Sequence, residues 1–144
     1  MADLALVTAD KLEVVSLPQD QHTLPAGEAI TAGAPVVQKN DGKFYNSDAN
    51  GAAPLNTAPF GIATRTVKAG EALTAVRKGK IDGYDLSGMS VGDTIYVSDT
   101  VGKLADAAGT ATLRVGFVLA VWGAPLGSNP DKVALIDCST IGDI

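Results

Sequence analysis

The side chains able to do chemistry are few, and they are scattered. The single histidine, His22, stands between Gln21 and Thr23 in a polar stretch. A general base has to sit in a positioned pocket, so His22 reads as a solvated side chain. The single cysteine, Cys138, follows the apolar run Val133-Ala134-Leu135-Ile136-Asp137. One cysteine makes no intramolecular disulfide and no metal-site spacing, and no basic neighbour activates it, so it reads as a small core residue. Asn46, Asp48, Asn50 and Gly51 match the first, third, fifth and sixth positions of a calcium loop. The twelfth position is Thr57, where such a loop needs a bidentate Glu, and no helices flank it. The stretch therefore reads as a polar turn. Asp82, Asp85, Asp93, Asp99 and Asp106 lie among turns, with one Trp and three Tyr in the whole chain to serve as sugar platforms. A glycosidase pair of carboxylates is not apparent. Lys78-Gly79-Lys80 lacks the glycine-rich approach of a phosphate loop. No catalytic, metal or cofactor-binding residue is assigned, and the expectation is a protein without enzymatic activity, metal or cofactor.

The elements that would have to position any site follow from composition. The chain of 144 residues suits one domain with a real core. Its 46% hydrophobic and 19% charged residues are globular proportions, and with aromatics at 5% the core must be aliphatic. The net charge of −5 repels phosphate backbones and anionic lipid, which argues against nucleic acid and membrane surfaces as partners. Met1-Ala2-Asp3-Leu4 is not the start of a signal peptide, and no apolar run approaches a membrane span, so the expected setting is a cytoplasm.

Glycine and proline decide the fold class. Between Ala26 and Pro130 the longest stretch free of both is the nine residues Asp93 to Val101. A typical helix needs about 11–12 residues, and Gly or Pro inside one costs roughly 1–3 kcal/mol each. Short strands joined by turns remain: Ala34–Gln38, Phe60–Val67, Ala72–Lys78, Thr94–Ser98, Arg114–Trp122 and Lys132–Cys138. Val115, Phe117, Leu119 and Val121 alternate with Gly116, Val118, Ala120 and Trp122, which predicts a strand buried on both faces. Asp41-Gly42 and Asp82-Gly83 mark turns. The fold class is all-β, a small barrel or sandwich.

An internal repeat is legible. Ala32-Gly33-Ala34-Pro35-Val36-Val37, Asp41-Gly42-Lys43-Phe44 and Gly61-Ile62-Ala63 return as Val91-Gly92-Asp93-Thr94-Ile95-Tyr96, Val101-Gly102-Lys103-Leu104 and Gly116-Phe117-Val118. The first two blocks are offset by 59 and 60 positions (33 to 92, 42 to 102). Ala26–Thr31 also echoes as Ala69–Thr74. Each unit reads as a Gly-led turn, a strand, a Gly-Lys hairpin and a strand, and two units are expected to close one barrel over residues 26–144. Residues 1–25 stand apart as an arm, Met1–Leu17, and a linker, Pro18–Pro25. The arm holds Leu4, Leu6, Val7, Leu12, Val14, Val15 and Leu17, which must be buried on its own barrel or on a neighbouring subunit.

Across roughly Leu24 to Asp137 the chain resembles the capsid decoration (cement) proteins of tailed bacteriophages. The residues that carry this are Ala26–Val36, Phe60–Ala63, Gly70–Ala72, Arg77–Ile81, Val91–Ser98 and Val115–Leu119. The resemblance implies a small β-rich domain that trimerises on the exterior of the phage head, binds the major capsid protein and stabilises the expanded shell. It implies a virion location after assembly in the host cytoplasm. The acidic charge suits an exterior position. A β-fold module binding glycan or another ligand in a phage tail or adsorption apparatus is the alternative. The linker sets the arm apart from the repeats, so the arm is expected on a neighbouring subunit or on the capsid and not solely on its own barrel. The candidate contact residues are the arm's seven aliphatics together with Val118 and Trp122.

Overall fold

The computed structural model describes residues 2–14, 19–121 and 132–138. Among them there are ten strands and no α-helix. In chain order these are β1 (Glu13–Val14), β2 (Gln19–Pro25), β3 (Pro35–Gln38), β4 (Phe44–Asn46), β5 (Gly61–Ala63), β6 (Ala72–Asp82), β7 (Thr94–Val97), β8 (Leu104–Ala105), β9 (Arg114–Ala120) and β10 (Lys132–Asp137). They form one curled antiparallel sheet in the order β4-β3-β5-β6-β10-β9-β7-β8, with β1 and β2 also paired to β6. The all-β fold class holds.

The repeat is a repeat of hydrogen bonds as well as of residues. Pro35 pairs with Ile62 and Val36 with Gly61; Thr94 pairs with Phe117 and Ile95 with Gly116. Ile62 then pairs with Val76, as Phe117 does with Leu135. His22 pairs with Ala75, as Ile81 does with Ala134, each partner lying 59 positions on (22 to 81, 75 to 134). Strand β6 is therefore shared: its first half ends one repeat and its second half begins the next. Gly33 donates to the Ala63 carbonyl (2.9 Å) as Gly92 does to Val118 (2.8 Å). Both glycines sit in the left-handed region, at φ 87° and 93°, where a side chain would be strained. Gly61 and Gly116 are matched for another reason. A Cβ on either would strike the next strand's carbonyl, that of Val76 or Leu135.

Two cores lie along the one curled sheet, the second taking in Ala49 and Ile62 from the first repeat. Ala26, Ile30, Ala34, Val36, Phe44, Ala63, Val67, Leu73 and Ala75 pack together in the first. The second centres on Ile81, Tyr84, Leu86, Met89, Ile95, Val97, Leu104, Val115, Val118, Ala134 and Ile136. The two are tied by Ser98 and Gly102, which bond Ala49 and Ser47 across the boundary, and by the Tyr84 hydroxyl, which donates to the Gly33 carbonyl at 2.5 Å. The shorter echo, Ala26–Thr31 against Ala69–Thr74, is not a structural repeat. The first copy is a turn and the second runs into β6, and the two lie against each other through Ala26 N–H to the Glu71 carbonyl (2.8 Å).

Two boundaries need correction. The segment read as a linker is strand β2 over Gln19–Pro25, fully in register with Ala72–Lys78. Its backbone pairs while Gln21, His22 and Thr23 stay exposed, so the strand has no apolar alternation to announce it. The arm also belongs to its own fold. Leu4 is 7% exposed within the second core, and Leu6, Leu12 and Val14 pack against it. Leu4 N–H donates to the Leu104 carbonyl (2.9 Å), Asp85 N–H to Ala5 (2.7 Å) and Val7 N–H to Gly83 (2.7 Å). In the first repeat Ala26 meets β4 directly at Phe44. In the second, the arm lies between Tyr84 and Ala105 and completes the wall.

Candidate interaction surface

The groups singled out for chemistry are occupied with structure. Asp48 accepts the Asn50 N–H (3.0 Å), and Asn46 donates to Glu28 (3.2 Å) and to the Ala29 carbonyl (3.1 Å), so the ligand-like residues do not point to a common centre. Asp85 accepts from Ser87 N–H (3.0 Å), Asp93 from Ser90 N–H (2.8 Å), Asp99 from Thr110 N–H (2.7 Å) and Asp106 from Ala2 N–H (2.8 Å). These carboxylates cap turns and the arm. Asp82 is buried. Among the described residues, no group of three or more His, Cys, Asp or Glu side chains is placed to hold a metal ion.

Cys138 is buried, and burial pushes its thiol up to about 12, with Arg77 opposing and Asp137 adding to the shift. A thiol in that state is not a nucleophile at neutral pH. His22 is exposed, but on a strand. Its ring lies edge-on to Phe44 (centroids 6.5 Å apart) and tilted 5.9 Å from Phe60, over which the Arg77 guanidinium sits at 5.3 Å. Phe44 belongs to the first core and Phe60 packs against it, so this aromatic and cationic group lies at the edge of that core. The depression lined by Gln38, Lys39, Asn40, Ala53 and Pro54 carries one ionisable side chain, Lys39, whose ammonium lies 4.2 Å over the Tyr45 ring.

The expected contact residues divide into three sets. Leu4 and Val118 are interior to this chain, at 7% and 0% exposure. Leu6, Val7, Leu12 and Val14 are half-buried on it. Val15, Leu17 and Trp122 lie outside the described residues. The reading of β9 as one alternating strand fails at a bulge. Thr94 and Ile95 oppose Phe117 and Gly116, but Tyr96 opposes Arg114, which leaves Val115 extra. The extra residue turns Val115 to the same side as Val118, and Phe117 faces out.

The outward apolar surface is thus Phe117, not Val118. Among the described residues the exposed large apolar side chains are Val91, Val101 and Phe117. Val101 sits in the β7–β8 hairpin, whereas Val91 lies beside β9, because Gly92 N–H donates to the Val118 carbonyl. Phe117 is 40% exposed in the cross-strand row Thr94–Phe117–Leu135–Lys80, with half-buried Leu119 two residues along. Nothing in the sequence marks it, since its counterpart in the matching Gly61-Ile62-Ala63 is Ile62, at 0% exposure. Compared with known proteins, the chain matches no family model and no curated protein.

Proposed function

We propose that this chain is a non-enzymatic structural protein that decorates the exterior of a tailed-phage head as an oligomer, a trimer by its sequence resemblance, and stabilises the expanded shell. The observation that carries the reading is where the surface chemistry lies. The turn carboxylates are engaged in capping, the cysteine is buried, and the exposed apolar side chains stand on an open sheet face and on loops. That arrangement suits binding by area in a repeated array, where many copies make modest contacts sufficient. The duplicated β-unit, which coincides with the residues that carry the resemblance, adds to it.

The test is to mix the purified chain with emptied, expanded phage heads and sediment them. The expected result is co-sedimentation at saturating stoichiometry and a higher melting temperature of the shells. Heads that pellet without the chain at micromolar concentration count against the reading. The aromatic group of His22, Phe60 and Arg77 favours one other reading, a glycan-binding module of an adsorption apparatus. Glycan binding abolished by Phe60→Ala, without head binding, would select it.

A further inference from the structure

The two repeats present the same cross-strand row, and only one of the rows is covered. In the first repeat the row is Pro35–Ile62–Val76–Gln21. In the second it is Thr94–Phe117–Leu135–Lys80, each member the counterpart of the first (35 to 94, 62 to 117, 76 to 135, 21 to 80). Ile62 and Val76 are 0% and 1% exposed, and Pro35 is buried with them. Ile62 does not join its own repeat's core. It packs within the cluster built mainly from the second repeat. At Ile62, then, the outer face of the first repeat is covered inside this chain by the core of the second. The matching face of the second repeat is left with Phe117 at 40% exposure and with Leu119 and Leu135 half-buried.

We propose that this open row is the docking surface for a second copy of the chain. The open row is continuous with the covered one, since both run across the same face of one sheet and both cross β6, at Lys80 and at Val76. A repeat of this chain is thus already the occupant of that kind of face. Charge points the same way. Lys80 ends the row on β6, and Arg114, three residues before Phe117 on β9, lies over the Tyr96 ring at 6.0 Å. Exposed carboxylates such as Asp85, Asp93 and Asp106 give a second copy acidic surface to set against those cations. Phe117 is the anchor expected at the centre of such a contact, with Leu135 and Val91 around it.

This deepens the functional reading above and rests on it only in taking the chain as one that assembles. The experiment measures mass by light scattering and sedimentation equilibrium for the full chain, Phe117→Glu, Leu135→Lys and Val101→Glu, with circular dichroism to establish folding. Val101→Glu places the same charge on an exposed apolar residue away from the row, 53% exposed against 40% for Phe117. The expected result is an oligomeric wild type. Phe117→Glu should dissociate it with a constant weakened on the order of 30-fold or more, Leu135→Lys should do the same, and Val101→Glu should leave it unchanged. Should Phe117→Glu fail to fold, Phe117→Ser carries the test. A wild type that stays monomeric, or variants of unchanged mass, overturns the proposal. If mass is unchanged and only head binding is lost, the row touches the capsid, and the proposal is likewise overturned. If the wild type assembles through this row but ignores phage heads, the functional reading falls and the contact stands.

Discussion

Lys78 and Asp137 lie 59 positions apart in the chain and face each other across β6 and β10, Nζ to Oδ2 3.9 Å. One repeat earlier the same pairing joins Gln19 to Lys78. Lys78 therefore holds two places at once, the end of the first repeat and the start of the second. A residue at that seam is constrained by backbone on both edges of its strand. Its charge is not what holds it.

The ion pair should contribute little. Its side chains are 44% and 25% exposed, and exposed pairs of this kind are worth about 0–1 kcal/mol. A double-mutant cycle of Lys78→Met and Asp137→Asn, read by urea denaturation, should give a coupling below about 1 kcal/mol that fades in high salt. A coupling of several kcal/mol would show that charge, and not strand register, holds the seam.

The matched glycines should be far less tolerant. A Cβ at Gly61 or Gly116 meets a carbonyl oxygen of the neighbouring strand, whereas one at Gly88 meets nothing within 4 Å. Overpacking against backbone costs about 1–3 kcal/mol or more. Gly61→Ala and Gly116→Ala should each lower the urea midpoint strongly and to a similar degree, and Gly88→Ala should leave it within error. A neutral Gly116→Ala would mean that β9 and β10 do not approach as closely as described.

The arm should prove to be part of the second core. Leu4 is 7% exposed there, and truncating a buried Leu costs about 2–5 kcal/mol. Leu4→Ala should destabilise the chain by that order, and deletion of residues 2–7 should do so further by uncovering the β8 edge. Hydrogen exchange should quicken first at Leu104 to Asp106, whose backbone meets the arm. A deletion variant as stable as the full chain would restore the arm to a role outside its own fold.

How much of this was legible depended on whether the backbone or the side chain set the structure. Gly33 and Gly92, and Gly61 and Gly116, are required by turns and close approach, so the repeat and the all-β class stood out. Strand β2 did not, because Gln-Asp-Gln-His-Thr-Leu-Pro is polar and its register is set by the backbone of β6. Its identity emerges once Gln19–Pro25 is seen to lie 59 positions before Lys78–Tyr84. The surface at Phe117 was hidden by the bulge at Val115, since one unpaired residue reverses every later side chain and leaves no mark in the alternation. The arm's apolar residues were plain, but their partners, Leu104 and Tyr84, are distant in sequence.

Alkali should unfold the protein through two buried groups. Burial pushes the Cys138 thiol from 9.0 up to about 12, and burial, reinforced by Cys138, also pushes the Tyr84 hydroxyl up from 10.0. Both are neutral in the folded chain and ionise more readily once it unfolds. The stability each contributes is complete below its unfolded value and is lost as pH climbs toward its folded one. For the thiol that window runs from pH 9.0 to about 12, and Tyr84 joins above 10.0. Over the window each group should steepen the loss by about 1.4 kcal/mol per pH unit. Urea midpoints should hold steady up to about pH 9 and then fall. Cys138→Ala should remove the thiol's share and delay the fall toward pH 10, where Tyr84 alone remains. A thiol-specific reagent should label Cys138 only as fast as the chain unfolds. Rapid labelling of the folded protein at pH 8 would mean that Cys138 is not sealed in the second core, and midpoints level to pH 11 would mean that neither group is.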